Sequence, residues 1–524
     1  MSPPQANGKL NNGDCFKKNG YPNISVVKGR SLGQKQQLNF SNNWREDTNL
    51  LSWQESNAKL GEDEQQDWSK YTATEDYHPN ACPAAPRLTT FLVKLCHLVL
   101  IAMAVIAEWL RSRNWIRNDW SQERQEQKDF YPLTNHFQTV FTHNIYRKAS
   151  DIMNRPIIGV PGAVVTLKDR HTNDHGWTYE YSGQERQVIN MGSYNYLGFS
   201  HNVGPCAQAA ADQIDKNGLA ACATRHELGL FSLQAELEQK VSRFLGVEEA
   251  ICFPMGFGTN STSLPTLANQ NTLVMSDELN HSSLVLGLRI SGATIKIFKH
   301  NDAEDLEKKL QEGLFTKKMQ YTKILIVVEG IYSMEGTIVN LPAIIDIKKR
   351  YKAYLFIDEA HSIGSLGPTG RGVVEYWGCN PKDVDILMGT LTKSFAGAGG
   401  YVAGSKALIR HLRTKTAAQV ISSMRIMSGE DGTEIGKQRN ARLARNTRYF
   451  RKRLRQLGFI LYGHDDSPVI PVLCYYITKT VCFGRESLNR GLAIVSVGFP
   501  ATPIEKARVR FCVSADHTRS QLEK

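Results

Sequence analysis

Three short apolar runs, Ile324–Glu329, Tyr354–Asp358 and Val384–Met388, constrain this chain more than any other feature. Each is rich in branched residues and none alternates with period two, so each reads as a strand covered on both faces. Between the first two lies Leu341–Tyr351, whose apolar residues recur at helical spacing. Strand, helix, strand in that order predicts a parallel sheet with crossovers, whose ligands bind beyond the carboxyl ends of the strands. Those ends carry Glu329, then Asp358 and His361, then Thr390, Thr392 and Lys393. Packing offers no reason to gather polar groups at one edge of a buried sheet. Even a neutral polar group left there without a partner costs roughly 2–7 kcal/mol.

Lys393 lies in Gly389-Thr-Leu-Thr-Lys-Ser-Phe-Ala-Gly-Ala-Gly-Gly400, flanked by hydroxyl residues and followed by a glycine-rich turn. Such an amine can form a Schiff base with an aldehyde cofactor, while nearby hydroxyls and backbone N–H groups can take a phosphate. Alone, a Lys-Ser in a glycine-rich loop is an ordinary surface feature. Asp358 read singly is a helix cap or a structural hydrogen-bond acceptor, and His361 a satisfied loop histidine. Read together, Asp-x-x-His with Lys393 thirty-two residues after His361 points to a pyridine cofactor. The carboxylate keeps the ring nitrogen protonated, and the histidine meets a phenolic oxygen.

The stretch Thr390–Gly399 resembles the signature around the cofactor lysine of the class II pyridoxal-phosphate-dependent aminotransferases. Asp358-Glu-Ala-His-Ser-Ile-Gly364 with Gly367-Pro-Thr-Gly-Arg-Gly372 resembles the α-oxoamine synthases within them, and most nearly the long-chain-base subunits of the serine palmitoyltransferases. Further shared motifs are Asn190–Gly198, Thr224–Gly229, Asp277–His281, Glu329–Gly336 and Gly498–Pro503, so the resemblance runs from about Gln127 to the C-terminus. It implies a fold-type I α/β architecture: a mostly parallel central sheet with helices on both faces and a smaller C-terminal α+β domain.

Residue by residue, the resemblance makes Lys393 the cofactor-bound lysine and Asp358 the partner of the pyridine nitrogen. His361 falls near the phenolic oxygen, and His281 is the histidine stacked on the ring. Gly256 and Phe257, after the strand Ala250–Phe253, match the phosphate-cradling turn, to which Thr390 adds a hydroxyl. Ser333 and Glu329 lie near the site without a firm role. Arg508 and Arg510 alternate with apolar residues on one strand face, and Arg510 matches the arginine that clamps the substrate carboxylate. The implied reaction condenses L-serine with palmitoyl-CoA, releasing CoA and carbon dioxide. The implied partner is a second subunit that lacks the lysine. Sister synthases making 5-aminolevulinate, 2-amino-3-ketobutyrate or 8-amino-7-oxononanoate are the alternatives within this chemistry. A non-catalytic, membrane-anchored subunit is the alternative outside it.

At 524 residues the chain exceeds one typical core. The expected divisions are a polar, disordered segment over 1–86, a hydrophobic anchor over 87–110 and a lead-in arm over 111–185. The cofactor-binding domain then takes 186–404 and the small domain 405–524. Ten cysteines without a CxxC pair suggest neither a metal site nor a disulfide scaffold. The run Leu88–Ala107 has about the ~20 residues that span a bilayer, but Lys94 and His97 interrupt it. A tilted span, an in-plane anchor and a buried helix all remain open. Family position favours membrane attachment at the endoplasmic reticulum. Arg111, Arg113 and Arg117 after the run favour a cytosolic catalytic side.

The net charge is +12, and residues 405–524 alone hold 22 Lys/Arg against 9 Asp/Glu, or +13. No nucleic-acid module accompanies it, so no nucleic-acid partner is expected. The dense stretch Arg439–Arg455 reads as a solvated helix face suited to anionic lipid or to the phosphates of CoA. Against the family pattern, Ala396 stands where glycine is usual and would be strained if that position needs φ > 0. Ser422–Met424 runs almost directly into Gly429–Gly432, where relatives place a helix, and Lys524 falls where they continue into another.

Overall fold

Both faces of the central strands are covered, as their composition requires. The structure is a computed structural model that describes residues 85–113, 115–116, 126, 129–130, 140–218, 232–315, 321–413, 434–499 and 501–523. The readings placed on residues 1–84, Arg117, Thr224–Gly229 and Ser422–Gly432 fall outside the described residues.

The first element is a long apolar helix, α1 (Arg87–Ser112), followed by an antiparallel pair, β1 (Val164–His171) and β2 (Glu180–Asn190). The central sheet follows: β3 (Glu249–Phe253), helix α2 (Gly256–Leu267), β4 (Thr272–Asp277), helix α3 (Ser282–Ser291), β5 (Thr294–Phe298), β6 (Lys323–Glu329), helix α4 (Leu341–Arg350), β7 (Tyr354–Asp358), β8 (Ile386–Thr390) and β9 (Gly400–Gly404). The spatial order is β3-β9-β8-β7-β6-β4-β5, and only β9 runs antiparallel to its neighbours. Helix α5 (Ile435–Gln456) then leads to an antiparallel sheet of β10 (Val469–Tyr475), β11 (Val495–Val497) and β12 (Ala507–Cys512), with β12 in the middle.

Alternate residues of β6 enter opposite apolar clusters. Ile326 and Val328 pack on one side of the sheet, Leu325 and Val327 on the other, and all four are at most 1% exposed. Burying four such side chains is worth roughly 6–12 kcal/mol, which offsets the burial of the polar groups at the strand ends. The expected strand at Val384 begins two residues later, because Pro381–Asp383 forms a 3-10 turn capped by the Asn380 side chain.

Helix α1 is 26 residues long and apolar enough to cross a membrane by length and composition. Its inward stripe, Val93, His97, Ala104 and Arg111, is buried against the protein. Its other side exposes Leu88, Phe91, Leu98, Met103 and Ile106. At its far end Glu108 accepts from Arg111 (2.7 Å) and lies 3.2 Å from His143, while Arg111 also donates to Asn144 (2.8 Å). The helix therefore lies along the body over most of its length.

The basic helix α5 corrects the expectation of a solvated face. Arg439, Arg442 and Arg451 are 2%, 1% and 0% exposed. Arg439 pairs with Asp516 at 2.7 Å, and Arg451 donates to the carbonyls of Tyr462, Gly463, Ser467 and Val469. These guanidiniums hold the C-terminal segments together, so they do not face lipid or CoA. A buried guanidinium is tolerated only when its forked donors meet acceptors like these.

Candidate active site

The parallel strands end together, and register alone sets Glu329 of β6 opposite Asp358 of β7. Asp358 is 3% exposed. Its Oδ1 accepts the Ala360 N–H at 2.8 Å and its Oδ2 accepts from Asn260 Nδ2 on α2 at 2.7 Å. Two donors satisfy the hydrogen-bonding needs of this buried carboxyl group. Glu329 Oε1 accepts from the backbone N–H of His281 instead, at 2.5 Å. Burial and the neighbouring Asp358 charge push it well above the usual carboxylate range.

Lys393 follows β8 in a turn knitted to the Asp358 loop. Ser394 Oγ donates to the Ile363 carbonyl at 2.7 Å, and a Cβ on Gly364 (φ +77°) would come 2.4 Å from Ser394 Cβ. Among the described residues the Lys393 amine makes no hydrogen bond or ion pair; it stands 5.4 Å from the centre of the Tyr194 ring. Desolvation, with Arg510 adding to it against Asp358 and Glu329, brings its pKa down to about 8. That is an amine poised to react near neutral pH.

His281 caps α3. Its Nδ1 accepts the Ser283 N–H at 3.2 Å, and its ring meets Phe257 at 6.1 Å. The ring is exposed toward the site mouth, yet packing still holds its pKa below the ordinary value. His361 is buried, with Nδ1 2.6 Å from the Tyr196 hydroxyl. Burial first, then the Lys393 and Arg510 charges, lower it well below 6.5, so it is neutral. Tyr196 keeps its proton because burial raises it well above 10.

Arg510, which the resemblance makes the carboxylate clamp, is 4% exposed in β12. It donates to the Tyr194 hydroxyl and, at 3.3 Å, to the Ser333 carbonyl, while its buried Nε has no hydrogen-bond partner among the described residues. A guanidinium with an unmet buried donor next to an amine is suited to a carboxylate. Arg508 instead pairs with Glu335 at 3.3 Å. Ser333 thus stands at the site through its backbone. Tyr194 was missed by sequence reasoning: it lies 5.2 Å from the His361 ring and 4.9 Å from the Arg510 guanidinium carbon.

Gly256 opens α2, whose first turn has no side-chain cap. A Cβ on Gly256 would come 2.6 Å from Thr390 Oγ1, so the space over this helix start exists only for glycine. The Thr390 hydroxyl is itself engaged by Thr392 Oγ1 (2.8 Å) and the Gly399 carbonyl (3.1 Å). A tight N-terminus with free N–H groups suits a phosphate. With the unpaired amine and the buried Asp358, the site fits pyridoxal phosphate.

Comparison with known proteins agrees. The model of the class I and II aminotransferases matches residues 186–524. A Caenorhabditis elegans protein, serine palmitoyltransferase 3, is 51% identical over 459 residues, covering 84% of this chain and 90% of that one. Human serine palmitoyltransferase 3 is 48% identical over 431 residues, 78% of each chain. The chain belongs to the serine palmitoyltransferases, within the class I and II aminotransferases.

Two solved members of this family superpose on it. The Sphingomonas wittichii serine palmitoyltransferase has a TM-score of 0.63 at 27% identity, over 75% of this chain and 96% of its own. A serine palmitoyltransferase holding pyridoxal phosphate as an internal aldimine has a TM-score of 0.60 at 28% identity, over 70% and 88%. Against the family pattern, Ala396 does adopt φ +50°, a left-handed conformation that costs a non-glycine residue about 1 kcal/mol. Ala396→Gly is expected to raise the stability of the chain by up to about 1 kcal/mol, read as a rise in the urea midpoint at unchanged slope.

Proposed function

We propose that this chain is the lysine-bearing, catalytic subunit of a serine palmitoyltransferase. It joins L-serine to palmitoyl-CoA with release of CoA and carbon dioxide, giving 3-ketodihydrosphingosine. The observation that carries this reading is Lys393, an amine with no hydrogen bond or ion pair among the described residues and a lowered pKa, set between Asp358, Glu329 and Arg510. A subunit serving only as scaffold has no use for a desolvated amine there.

When bound, pyridoxal phosphate supplies an aldehyde for the substrate amine and a ring that draws electrons from the α-carbon. Lys393 would hold it, with Asp358 on the ring nitrogen, the neutral His361 at the phenolic oxygen and the start of α2 around Gly256 and Phe257 on the phosphate. Arg510 would orient the serine carboxylate through its unmet Nε and its fork. Lys393, as free amine, takes the proton from the α-carbon. His281 presents its ring to the substrate side and shields the reacting carbon from water.

The exposed Met255 (59%) and Phe257 (42%) at the mouth support cover by another subunit, and the family implies one that lacks the lysine. The exposed apolar side of α1, with its inner stripe seated on the protein, supports an in-plane anchor. The membrane we infer is that of the endoplasmic reticulum, with the catalytic body on the cytosolic side. We keep the division into a cofactor-binding domain over 186–404 and a small domain over 405–524.

Co-expressed with a lysine-less subunit, the chain is expected to turn L-serine and palmitoyl-CoA into a long-chain ketobase, identified by mass spectrometry. A product formed from glycine and not serine would transfer the assignment to a sister synthase. The reactive amine has a pH signature as well. Below about pH 8 Lys393 is protonated, and above it the free amine dominates, against 10.5 for an ordinary lysine. Capture of pyridoxal phosphate by the apoprotein, fixed by borohydride and read by mass, should therefore rise with pH about a midpoint near 8. A rise centred near 10 would contradict the site described.

A further inference from the structure

Four polar side chains from three segments form one connected line beside the site. Asn260, on the second turn of α2, is 1% exposed, and Ser283, in the first turn of α3, is also 1% exposed. Asn260 Nδ2 donates both to Asp358 Oδ2 at 2.7 Å and to Ser283 Oγ at 3.0 Å. Ser283 Oγ lies 2.7 Å from His281 Nδ1, and the Ser283 N–H points at the same nitrogen at 3.2 Å.

Donor roles follow from chemistry. A carboxylate only accepts, so the amide nitrogen of Asn260 must face Asp358, and its second hydrogen goes to Ser283 Oγ. A backbone N–H only donates, so His281 Nδ1 accepts and carries no proton. The Ser283 hydroxyl, already accepting from Asn260, gives its own hydrogen to Nδ1. The imidazole proton therefore sits on Nε2. Helices α2 and α3 are held close enough for this by Gly287, where a Cβ would come 2.7 Å from the Asn260 carbonyl.

We propose that Asn260 and Ser283 are positioning residues that lock His281 as the neutral Nε2–H tautomer and couple it to the Asp358 carboxylate. This deepens the functional reading above and rests on it for its use in catalysis. The line makes the charge state of His281 respond to the opposite face of the site. Two donors on Nδ1 oppose protonation there and, with burial, hold the ring neutral against the pull of the Asp358 carboxylate. The charged and titratable groups facing His281 are Asp358, Lys393 and His361, with Glu329 on its backbone N–H.

The test is histidine NMR on the apoprotein with 15N-labelled histidine, the His281 signal being the one lost in His281→Gln. The expected signal is the Nε2–H tautomer, neutral at pH 7. Ser283→Ala should mix the tautomers and raise the titration midpoint by about one pH unit, tenfold in protonation constant. Ser283→Thr, which keeps the hydroxyl, should restore the original signal. Asn260→Ala should act in the same direction as Ser283→Ala; if it does not fold, the Ser283 pair alone decides. An unchanged tautomer and midpoint in Ser283→Ala would overturn the proposal. Cofactor absorbance, recorded on the same variants, separates the two readings. Its absence from the wild-type chain would sink the functional reading without touching the tautomer result, and its retention in Ser283→Ala is expected.

Discussion

Lys393→Ala is expected to lower turnover by at least about 10²–10⁴-fold, the range for losing a positioned proton-transfer group alone. The loss of the covalent attachment comes on top of that. The amine has no hydrogen bond or ion pair among the described residues, so its removal leaves no buried acceptor unmet. A folded-state pKa of about 8 against 10.5 for a free lysine costs the wild-type chain about 3 kcal/mol below pH 8. The variant escapes that cost, less the packing lost with the side chain, and its gain fades between pH 8 and 10.5. Turnover and the urea midpoint, measured on one preparation, separate these effects. A variant that lost stability along with activity would show Lys393 to be structural.

Asp358→Asn tests the opposite side of the site and has the second-largest expected effect. The substitution preserves volume, and its amide oxygen can still accept the Ala360 N–H. Its amide nitrogen, however, would face the amide nitrogen of Asn260 at the present 2.7 Å contact, donor against donor. It also removes the negative charge that holds up the Lys393 pKa and raises that of Glu329. Turnover should fall about 10²–10³-fold, the scale for losing one preorganised electrostatic partner, and stability by about 1–3 kcal/mol. Borohydride-trapped cofactor should persist, because Lys393 remains and its amine is freer at neutral pH. Lys393→Ala loses that trapped species and Asp358→Asn does not, so the two variants dissect attachment from activation.

Much of this site was legible along the chain because parallel strands bring their carboxyl ends to one edge. Asp358, Lys393 and the phosphate turn each follow an apolar run, and local sequence was enough to align them. For Ala396 the sequence raised the question, by an alanine where relatives carry glycine, and the φ of +50° answers it. Other partners were not. Asn260 meets Asp358 across 98 residues and Tyr194 meets Arg510 across 316, and only the packed fold makes those neighbours. The arginines of α5 misled for the same reason. Charges at helical spacing look solvated until the carbonyls of residues 462–469 and the carboxylate of Asp516 close around them. For α1, hydropathy gave length and apolarity, whereas its seat along the protein depends on Glu108, Arg111, His143 and Asn144 meeting across separate segments.

The most direct measurement of the central claim is the visible absorption spectrum of the chain, co-expressed with the proposed lysine-less subunit and titrated with L-serine. The account predicts a cofactor band that shifts with serine and is missing in Lys393→Ala. Folded wild-type protein with no band, at saturating pyridoxal phosphate, would contradict it and leave this chain a non-catalytic subunit.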